Sequence, residues 1–353
     1  MADVYFSREI KEIIDSIDFS KLGNKVGIKV HFGERGCTTY MDPKIVKAIY
    51  DEVCSRGKEA FLIETNVLYR GSRTNSTDHK KLAIEHGFDF APIDIIDGEK
   101  GNEFVEVKIR DGVANPVRLG KGIEDYDSLI IVSHFKGHIS AGYGGVFKNL
   151  GMGFGSRAGK LHMHASVKPS ISKEDCTACE VCIKNCDFDA IKIIDEKAFI
   201  DKDKCIGCAM CIAVCPVGAV KIPWGTSTSE DLQKKIVDYS EGVFEVIPKE
   251  KCIFINILEK ITEHCDCMGR SQTPLMDDIG IIASYDPVAL DKASFDLIEE
   301  NSPGIFAGIN SVDKTIQVDY AEEKGLGSKE YNLVELDSEW WLVKISRGYK
   351  KIW

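Results

Sequence analysis

The chain has 353 residues, a formal net charge of −11 and 44% hydrophobic residues, which is ordinary for a globular protein large enough for two domains. The acidic balance argues against nonspecific binding to nucleic acid, which needs clustered lysines and arginines to displace counterions. No stretch approaches the roughly 18 apolar residues of a membrane span, and the charged N-terminal segment lacks the form of a signal peptide. Thirteen cysteines without an export signal indicate thiolate ligands in a reducing compartment, so we expect a cytoplasmic protein.

Buried strands and amphipathic helices alternate from residue 25 onward. The first predicted helix has Asp42 as its N-cap and Pro43 in its first turn. This β-α-β-α order predicts a mostly parallel sheet with helices on both faces. Apolar runs rich in β-branched and aromatic residues predict strands at 25–32, 60–65, 128–135, 252–258, 279–284, 331–336 and 340–345.

Residues 170–223 interrupt this pattern, and a predicted helix near 229–241 resumes it. The interruption predicts one α/β domain divided by an inserted module. We therefore expect a first α/β part at 1–168, a ferredoxin-like α+β insert at 169–224 and a second α/β part at 225–353.

The insert contains two copies of one cysteine spacing, the second following the first by 29 residues. The spacing is typical of ferredoxins with two [4Fe–4S] clusters, in which three cysteines of one copy and the last of the other hold each cluster. A zinc site built from cysteine pairs is the alternative. Asp187 stands where the motif has proline, which affects the surroundings of the second cluster and leaves its ligand set intact. The predicted ligands are Cys176, Cys179, Cys182 and Cys215 for one cluster and Cys205, Cys208, Cys211 and Cys186 for the other.

Basic and imidazole side chains follow the predicted strand at 128–135. His134, Lys136 and His138 would share one face of an extended chain, beyond the carboxyl end of the strand, where open α/β sheets bind ligands. The glycines that follow would let backbone N–H groups approach an anion, with Lys148 next in line. His31 follows an earlier strand and would lie at the same edge of the sheet. A substrate site is therefore predicted here, with a tight turn and structural histidines as the alternative.

A second cysteine feature is the run His264-Cys265-Asp266-Cys267. In an extended chain the two cysteines face one side, and His264 and Asp266 face the other. Thiolates and imidazole are ligands of soft metal ions, so His264, Cys265 and Cys267 are candidates for an additional metal site or an active thiol. Two reduced, partly buried cysteines are the alternative.

The features occur in an order that resembles a known family. They are VHFGERG, IETNVLYRG, SHFKGH with GYGGVFKNLGMG, the cysteine repeat, HCDC and DIGIIASYDPVALDKA. Together they are similar to the uncharacterised iron–sulfur centre proteins of domain-of-unknown-function family 362. The resemblance implies an α/β domain with a two-cluster insert and brings no agreed reaction. The short segment GYGGVFKN also resembles part of the nickel-pincer lactate racemases.

These observations favour an oxidoreductase of anaerobic metabolism that relays electrons from a redox partner protein through two clusters to a small anionic substrate. Lysine and histidine would bind the anion or supply protons. An electron carrier whose α/β part is a docking scaffold is one alternative. A non-redox anion-binding enzyme with structural clusters is another.

Overall fold

The computed structural model describes residues 1–308 and 311–336, which form sixteen strands and ten α-helices. The strands are β1 (Ala2–Ser7), β2 (Lys25–Lys29), β3 (Glu59–Glu64), β4 (Ile93–Ile95), β5 (Phe104–Val107), β6 (Val117–Gly120), β7 (Ser128–His134), β8 (Lys136–His138), β9 (Gly142–Gly144), β10 (Ser170–Ile171), β11 (Ile191–Ile194), β12 (Lys197–Ile200), β13 (Val220–Lys221), β14 (Cys252–Leu258), β15 (Gly280–Ser284) and β16 (Tyr331–Glu335). The helices are α1 (Ile10–Ser16), α2 (Pro43–Ser55), α3 (Ser76–Glu85), α4 (Val146–Phe154), α5 (Arg157–His164), α6 (Val181–Lys184), α7 (Met210–Val214), α8 (Ser229–Val246), α9 (Pro287–Asn301) and α10 (Ile316–Glu323).

Eight strands form one central sheet in the order β16-β1-β15-β14-β7-β2-β3-β4. Five of the seven neighbouring pairs are parallel, and β15 runs against both of its neighbours. The prediction of a mostly parallel sheet is therefore confirmed. The carboxyl ends of β2, β3, β7 and β14 consequently meet at one edge, where ligands bind in open α/β sheets.

Both faces of the sheet are covered by apolar cores, because successive side chains of a strand point to opposite faces. In β7, Leu129 and Ile131 join the core that contains residues of α4, α8 and α9. Ile130 and Val132 join the other core, against α1 and α2. Helices thus pack on both faces, as the alternating pattern predicted.

Local signals in the sequence match most of these elements. Asp42 accepts a hydrogen bond from the backbone N–H of Lys44 and caps α2, with Pro43 in the first turn. The predicted edge strand at 331–336 corresponds to β16, which pairs with β1, whereas the predicted strand at 340–345 lies outside the described residues. No element in the described part of the chain is a helix long and apolar enough to cross a membrane.

The interrupting segment forms its own small pairs, β10 with β13 and β11 with β12, which do not join the central sheet. Strands from both sides of the segment build the sheet, since β7 precedes it and β14 follows it in adjacent positions. The proposed domain boundaries at 168 and 225 stay predictions.

Candidate functional site

A cavity of about 750 Å³ lies at the edge where the carboxyl ends of the parallel strands meet. It is large enough for a small-molecule ligand. All the α/β residues predicted to form a site line it, and they come from four separate stretches of chain. They are His31, His134, Lys136, His138, Lys148, His264, Cys265 and Cys267.

Sheet topology explains why these stretches converge. His31 follows β2, Lys136 and His138 form the short strand β8 directly after β7, and the loop bearing Cys265 follows β14. These three sheet strands are parallel neighbours in the order β14-β7-β2. The residues that leave their carboxyl ends therefore enter the same space, although Cys265 lies far from His31 in the sequence.

Asp266 is the fully buried anchor of the cysteine-bearing loop. Its carboxylate accepts hydrogen bonds from Lys136 Nζ at 2.6 Å and from His134 Nδ1 at 2.8 Å. Its backbone carbonyl accepts from the N–H of Glu34 at 2.9 Å. Because Asp266 is held on the inner side, the cysteines before and after it line the cavity. His264 lines the cavity as well, so the three residues named as a possible additional site lie in one wall.

The two ring nitrogens of His134 both face oxygen atoms. Nδ1 lies 2.8 Å from the Asp266 carboxylate, and Nε2 lies 2.8 Å from the backbone carbonyl of Glu259. His134 therefore holds Asp266 in place and offers no uncommitted ring nitrogen for substrate chemistry. Lys136 is equally committed, because its ammonium also donates to the carbonyl of His134 at 2.9 Å.

Lys148 and Cys265 form the most reactive arrangement in the cavity wall. The Lys148 ammonium donates to Cys265 Sγ at 3.4 Å, and the backbone N–H of Cys267 points at the same sulfur at 3.4 Å. The pKa of Cys265 lies well below its usual range. The largest cause is the side-chain hydrogen bond with Cys267, and the Lys148 and Lys136 ammoniums lower the pKa further, although burial raises it. The same hydrogen bond raises the pKa of Cys267. These contacts favour the thiolate at Cys265 over the thiolate at Cys267.

His31 and His138 are neutral imidazoles. Burial, followed by nearby cations, lowers the pKa of each well below its usual range; Arg73 is the leading cation for His31 and Lys148 for His138. His138 Nδ1 accepts from the N–H of Ala141 at 3.0 Å, so its ring proton is on Nε2. A positive charge on these two histidines is therefore disfavoured.

Three cations of the wall have buried carboxylate partners. Lys29 lies 2.9 Å from Glu64, Arg73 lies 3.2 Å from Glu34, and Lys136 is bound to Asp266. Lys160 forms no ion pair among the described residues and donates to the backbone carbonyl of Gly155 at 2.6 Å. Lys148 differs from the first three because its partner is a sulfur whose charge depends on its chemical state.

The glycine-rich loop has a different role from the one its sequence suggested. Asp291 of α9 accepts hydrogen bonds from the backbone N–H groups of Val146 at 2.8 Å and Phe147 at 3.2 Å. A Cβ at Gly145 would lie 2.2 Å from the same carboxylate. The start of α4 is thus closed by the chain's own carboxylate, which excludes a bound anion from that point.

The eight cysteines of residues 170–223 line two small cavities, and each cavity has three cysteines from one copy of the spacing and the last cysteine of the other. Cys176, Cys179, Cys182 and Cys215 line one cavity, and Cys186, Cys205, Cys208 and Cys211 line the other. Within the described residues no group of three or more His, Cys, Asp or Glu side chains is arranged for a single metal ion. The cysteines enclose a space instead of converging on one point.

The two cysteine loops also repeat in backbone conformation. Ala178 and Glu180 have positive φ angles of 53° and 61°, and the residues 29 positions later, Gly207 and Ala209, have 76° and 61°. A non-glycine residue in this region costs free energy, so such a conformation persists where the surroundings require it. The matching pair indicates that both loops curl around their cavities in the same way.

Helix α5 separates the cysteine module from the large cavity. Leu161 packs in the apolar cluster that contains four of the insert's cysteines, while Lys160 and His164 of the same helix line the large cavity. Leu68 belongs to both, since it packs in that cluster and lines the cavity. Helix α5 and Leu68 therefore contact both regions.

Hydrogen bonds from the α/β body hold three residues that each adjoin a cysteine of the module. Arg70 donates to the carbonyl of Pro216 at 2.9 Å, and Arg118 donates to that of Ile206 at 3.0 Å. Lys100 donates to the side chain of Asn185 at 3.0 Å. The module is thus fixed against the body through its cysteine loops.

Sequence reasoning missed several residues of the wall. Glu64 ends an otherwise apolar strand at the same sheet edge, and a carboxylate in that position is a signal that could have identified it. Tyr69 donates to the carbonyl of Cys267 at 3.1 Å and supports the cysteine loop. Lys160 gives no such signal, because it occupies an ordinary helical position and meets the cavity only after folding.

The family model described as "Domain of unknown function (DUF362)" matches residues 26–296. The chain belongs to this family. The matched range includes the cysteine repeat and every predicted site residue, in agreement with the resemblance seen in the sequence. A search of curated proteins found no match.

Two solved structures are similar to the chain at low identity. One is the lactate racemase apoprotein from Thermoanaerobacterium thermosaccharolyticum, with 9% identity, a TM-score of 0.43 and coverage of 85% of this chain. The other is a structural-genomics protein from Thermotoga maritima, with 12% identity, a TM-score of 0.38 and coverage of 83%. This chain spans only 58% and 57% of their lengths.

Proposed function

We propose that the chain is an iron–sulfur oxidoreductase that receives electrons from a redox partner protein and reduces a small substrate in the large cavity. The observation that carries the proposal is the pair of four-cysteine cavities, each lined by three cysteines of one repeat and the last cysteine of the other. This is the arrangement by which two-cluster ferredoxins hold [4Fe–4S] cores. A cavity of about 750 Å³ lies next to α5 and could hold a substrate, which a simple electron carrier does not bind.

The residues around the small cavities fit such groups. Cys176 Sγ accepts from the backbone N–H groups of Ala178 at 3.5 Å and Ala198 at 3.4 Å, and Cys215 Sγ accepts from Ala219 at 3.2 Å. Hydrogen bonds to the sulfurs and partial burial are the means by which a protein tunes cluster potential. Once bound, two clusters would supply one-electron transfers.

The chain's own residues define where each partner would meet it. Cys179 is exposed, so we propose that a redox partner would approach the cluster at this cysteine. The chain's net charge of −11 would attract a basic face on that protein. Cys208 lies on the body side, close enough to the buried Arg157 for their charges to interact. Lys148 is the candidate for binding an anionic group of the substrate.

Metal analysis after purification without oxygen tests the proposal. We expect about eight iron and eight sulfide per chain, since each of two cubes contains four of each. Cys186→Ser should disturb the cluster held by Cys205, Cys208 and Cys211 and spare the one held by its own loop, as magnetic spectroscopy would reveal. Cys252→Ser, outside the module, is the control. About four iron per chain, or zinc in its place, would refute the two-cluster proposal.

Turnover distinguishes the alternatives. Reduction of a substrate with an artificial reductant supports the oxidoreductase. Tight binding of one redox partner without turnover would favour the electron carrier, and activity that survives loss of iron would favour a non-redox enzyme.

A further inference from the structure

We propose that Cys265 and Cys267 are a redox-active thiol pair, and that the substrate of the large cavity is a small disulfide carrying an anionic group. The inference rests on the proposed function for the delivery of electrons. The thiol exchange itself requires only the residues of the cavity.

The first support is the placement of the two sulfurs. Cys265 and Cys267 both line the cavity, because the residue between them is fastened in the opposite direction by Lys136 and His134. Tyr69 donates to the carbonyl of Cys267 and fixes the far side of the loop. Two thiols one residue apart, held on one face, can attack the same substrate in turn and then bond to each other.

The second support is the Lys148 ammonium, 3.4 Å from Cys265 Sγ. An ammonium stabilises a thiolate, which is the attacking form in thiol–disulfide exchange. The same ammonium would repel a metal cation at this sulfur. The contact therefore favours the active-thiol alternative of the sequence analysis over a metal held by His264, Cys265 and Cys267.

The reaction balances in three steps. The Cys265 thiolate attacks one sulfur of the substrate disulfide, which forms a mixed disulfide and releases the first substrate thiolate. Cys267 then loses its proton and attacks Cys265 Sγ, which forms the Cys265–Cys267 disulfide and releases the second thiolate. Two electrons from the redox partner and one proton return the pair to the Cys265 thiolate and the Cys267 thiol. The net change is reduction of one disulfide to two thiolates by two electrons, because the proton that Cys267 loses in the second step is regained in the third.

The charge of the wall indicates why the substrate carries an anion. When Cys265 enters a disulfide its negative charge disappears, and the half-buried Lys148 loses the partner that balanced it. A carboxylate of the bound substrate can replace that charge at the same place. Lys29, Arg73 and Lys136 keep their own carboxylate partners throughout and do not compete for it.

The test uses the full-length, iron-loaded protein under argon with dithiobis-nitrobenzoate, an aromatic disulfide with two carboxylates that releases a coloured thiolate. Wild type should release two equivalents in a fast phase and end with a Cys265–Cys267 disulfide in its peptide map. Cys267→Ser should release one equivalent and keep the reagent on Cys265. Cys265→Ser should lose the fast phase, whereas Cys54→Ser, a half-buried cysteine on α2, should retain it.

A second reagent tests the anion requirement. With neutral dithiodipyridine, Lys148→Met should still release the thiol in two steps, but more slowly than wild type, because Cys265 loses the ammonium that stabilises its thiolate. The preference of this variant for the anionic reagent over the neutral one should disappear. Equal preference in wild type and Lys148→Met would overturn the assignment of Lys148 to the anion.

The residue that carries the fast label can be identified in the wild-type protein, so this measurement does not depend on the folding of any variant. Label that lands outside Cys265 and Cys267, or a mixed disulfide that persists in wild type, overturns the thiol-pair inference. Because exchange precedes electron delivery, a fast phase without iron would refute the proposed function alone. About eight iron per chain without a fast phase would refute this inference alone.

Discussion

Replacing Asp266 by asparagine removes one charge from the buried cluster that anchors the cysteine loop. The Asp266 carboxylate lies 2.6 Å from Lys136 Nζ, and the two side chains are 0% and 6% exposed. At an effective dielectric constant of about 20, unit charges at that distance attract by roughly 6 kcal/mol, part of which offsets the cost of removing both from water. Asp266→Asn leaves a buried ammonium without its counter-charge, so we expect the free energy of unfolding to fall by about 3–5 kcal/mol.

Urea unfolding followed by far-ultraviolet circular dichroism, with midpoints compared at a common slope, measures this change. Lys136→Met in the Asp266→Asn background removes the stranded ammonium, so the double variant should be less destabilised than the sum of the two single variants. Glu263→Gln, an exposed neighbour, should change stability by less than about 0.5 kcal/mol. An Asp266→Asn loss below about 1 kcal/mol, or additive single effects, would refute the account of Asp266 as a charged anchor.

Two further predictions concern the insert and acid stability. Ser170 lies opposite Lys221 in β10–β13, so the ends of the insert are adjacent, and deletion of 170–223 with a short linker should leave an iron-free body that still unfolds cooperatively; an aggregated or unstructured product would contradict the inserted-module reading. Burial, followed by the charge of Lys148, lowers the pKa of His164 to about 4. In the unfolded chain this histidine binds a proton near pH 6.5, whereas in the folded protein it stays neutral until about pH 4. The free energy of unfolding therefore falls as the pH drops from 6.5 to 4. At pH 5 the penalty is about 2 kcal/mol, and His164→Gln should reduce the difference in urea midpoint between pH 7 and pH 5; an unchanged difference would show that His164 is not the cause.

The candidate cavity could be predicted from the sequence because it follows from topology. Polar residues that directly follow buried parallel strands must meet at one sheet edge, and this rule places His31 and Lys136 together. The cysteine cavities follow in the same way from a spacing with a fixed geometric meaning. The rule predicts where the site lies on the sheet, but it does not predict which side chains contact each other there.

The partners of the charged groups could not be predicted. Lys136 and Asp266 are 130 residues apart, and nothing in either local pattern indicates that one neutralises the other. The same holds for Asp291, which occupies the helix start that looked suited to a bound anion. The antiparallel direction of β15 could have been predicted from the sequence. A parallel strand would need a crossover connection, usually a helix, and no helix is predicted between 252–258 and 279–284. The strand β1 was missed because its six residues lie in a segment dominated by charged, helical patterning.

The arrangement of charges gives the cavity a dependence on the state of one sulfur. Lys29, Lys136 and Arg73 each lie against a carboxylate that takes no part in the thiol exchange, so their contribution to the cavity is constant. Lys148 is balanced by Cys265, which is negative only as a thiolate. An anionic substrate is therefore held most strongly after Cys265 has reacted, when the ammonium lacks its partner. Reduction of the disulfide restores the Cys265 thiolate. This thiolate competes with the product for Lys148 and favours release of an anionic product. Binding and release would thus follow the redox state of the thiols, without any movement of the sheet that positions them.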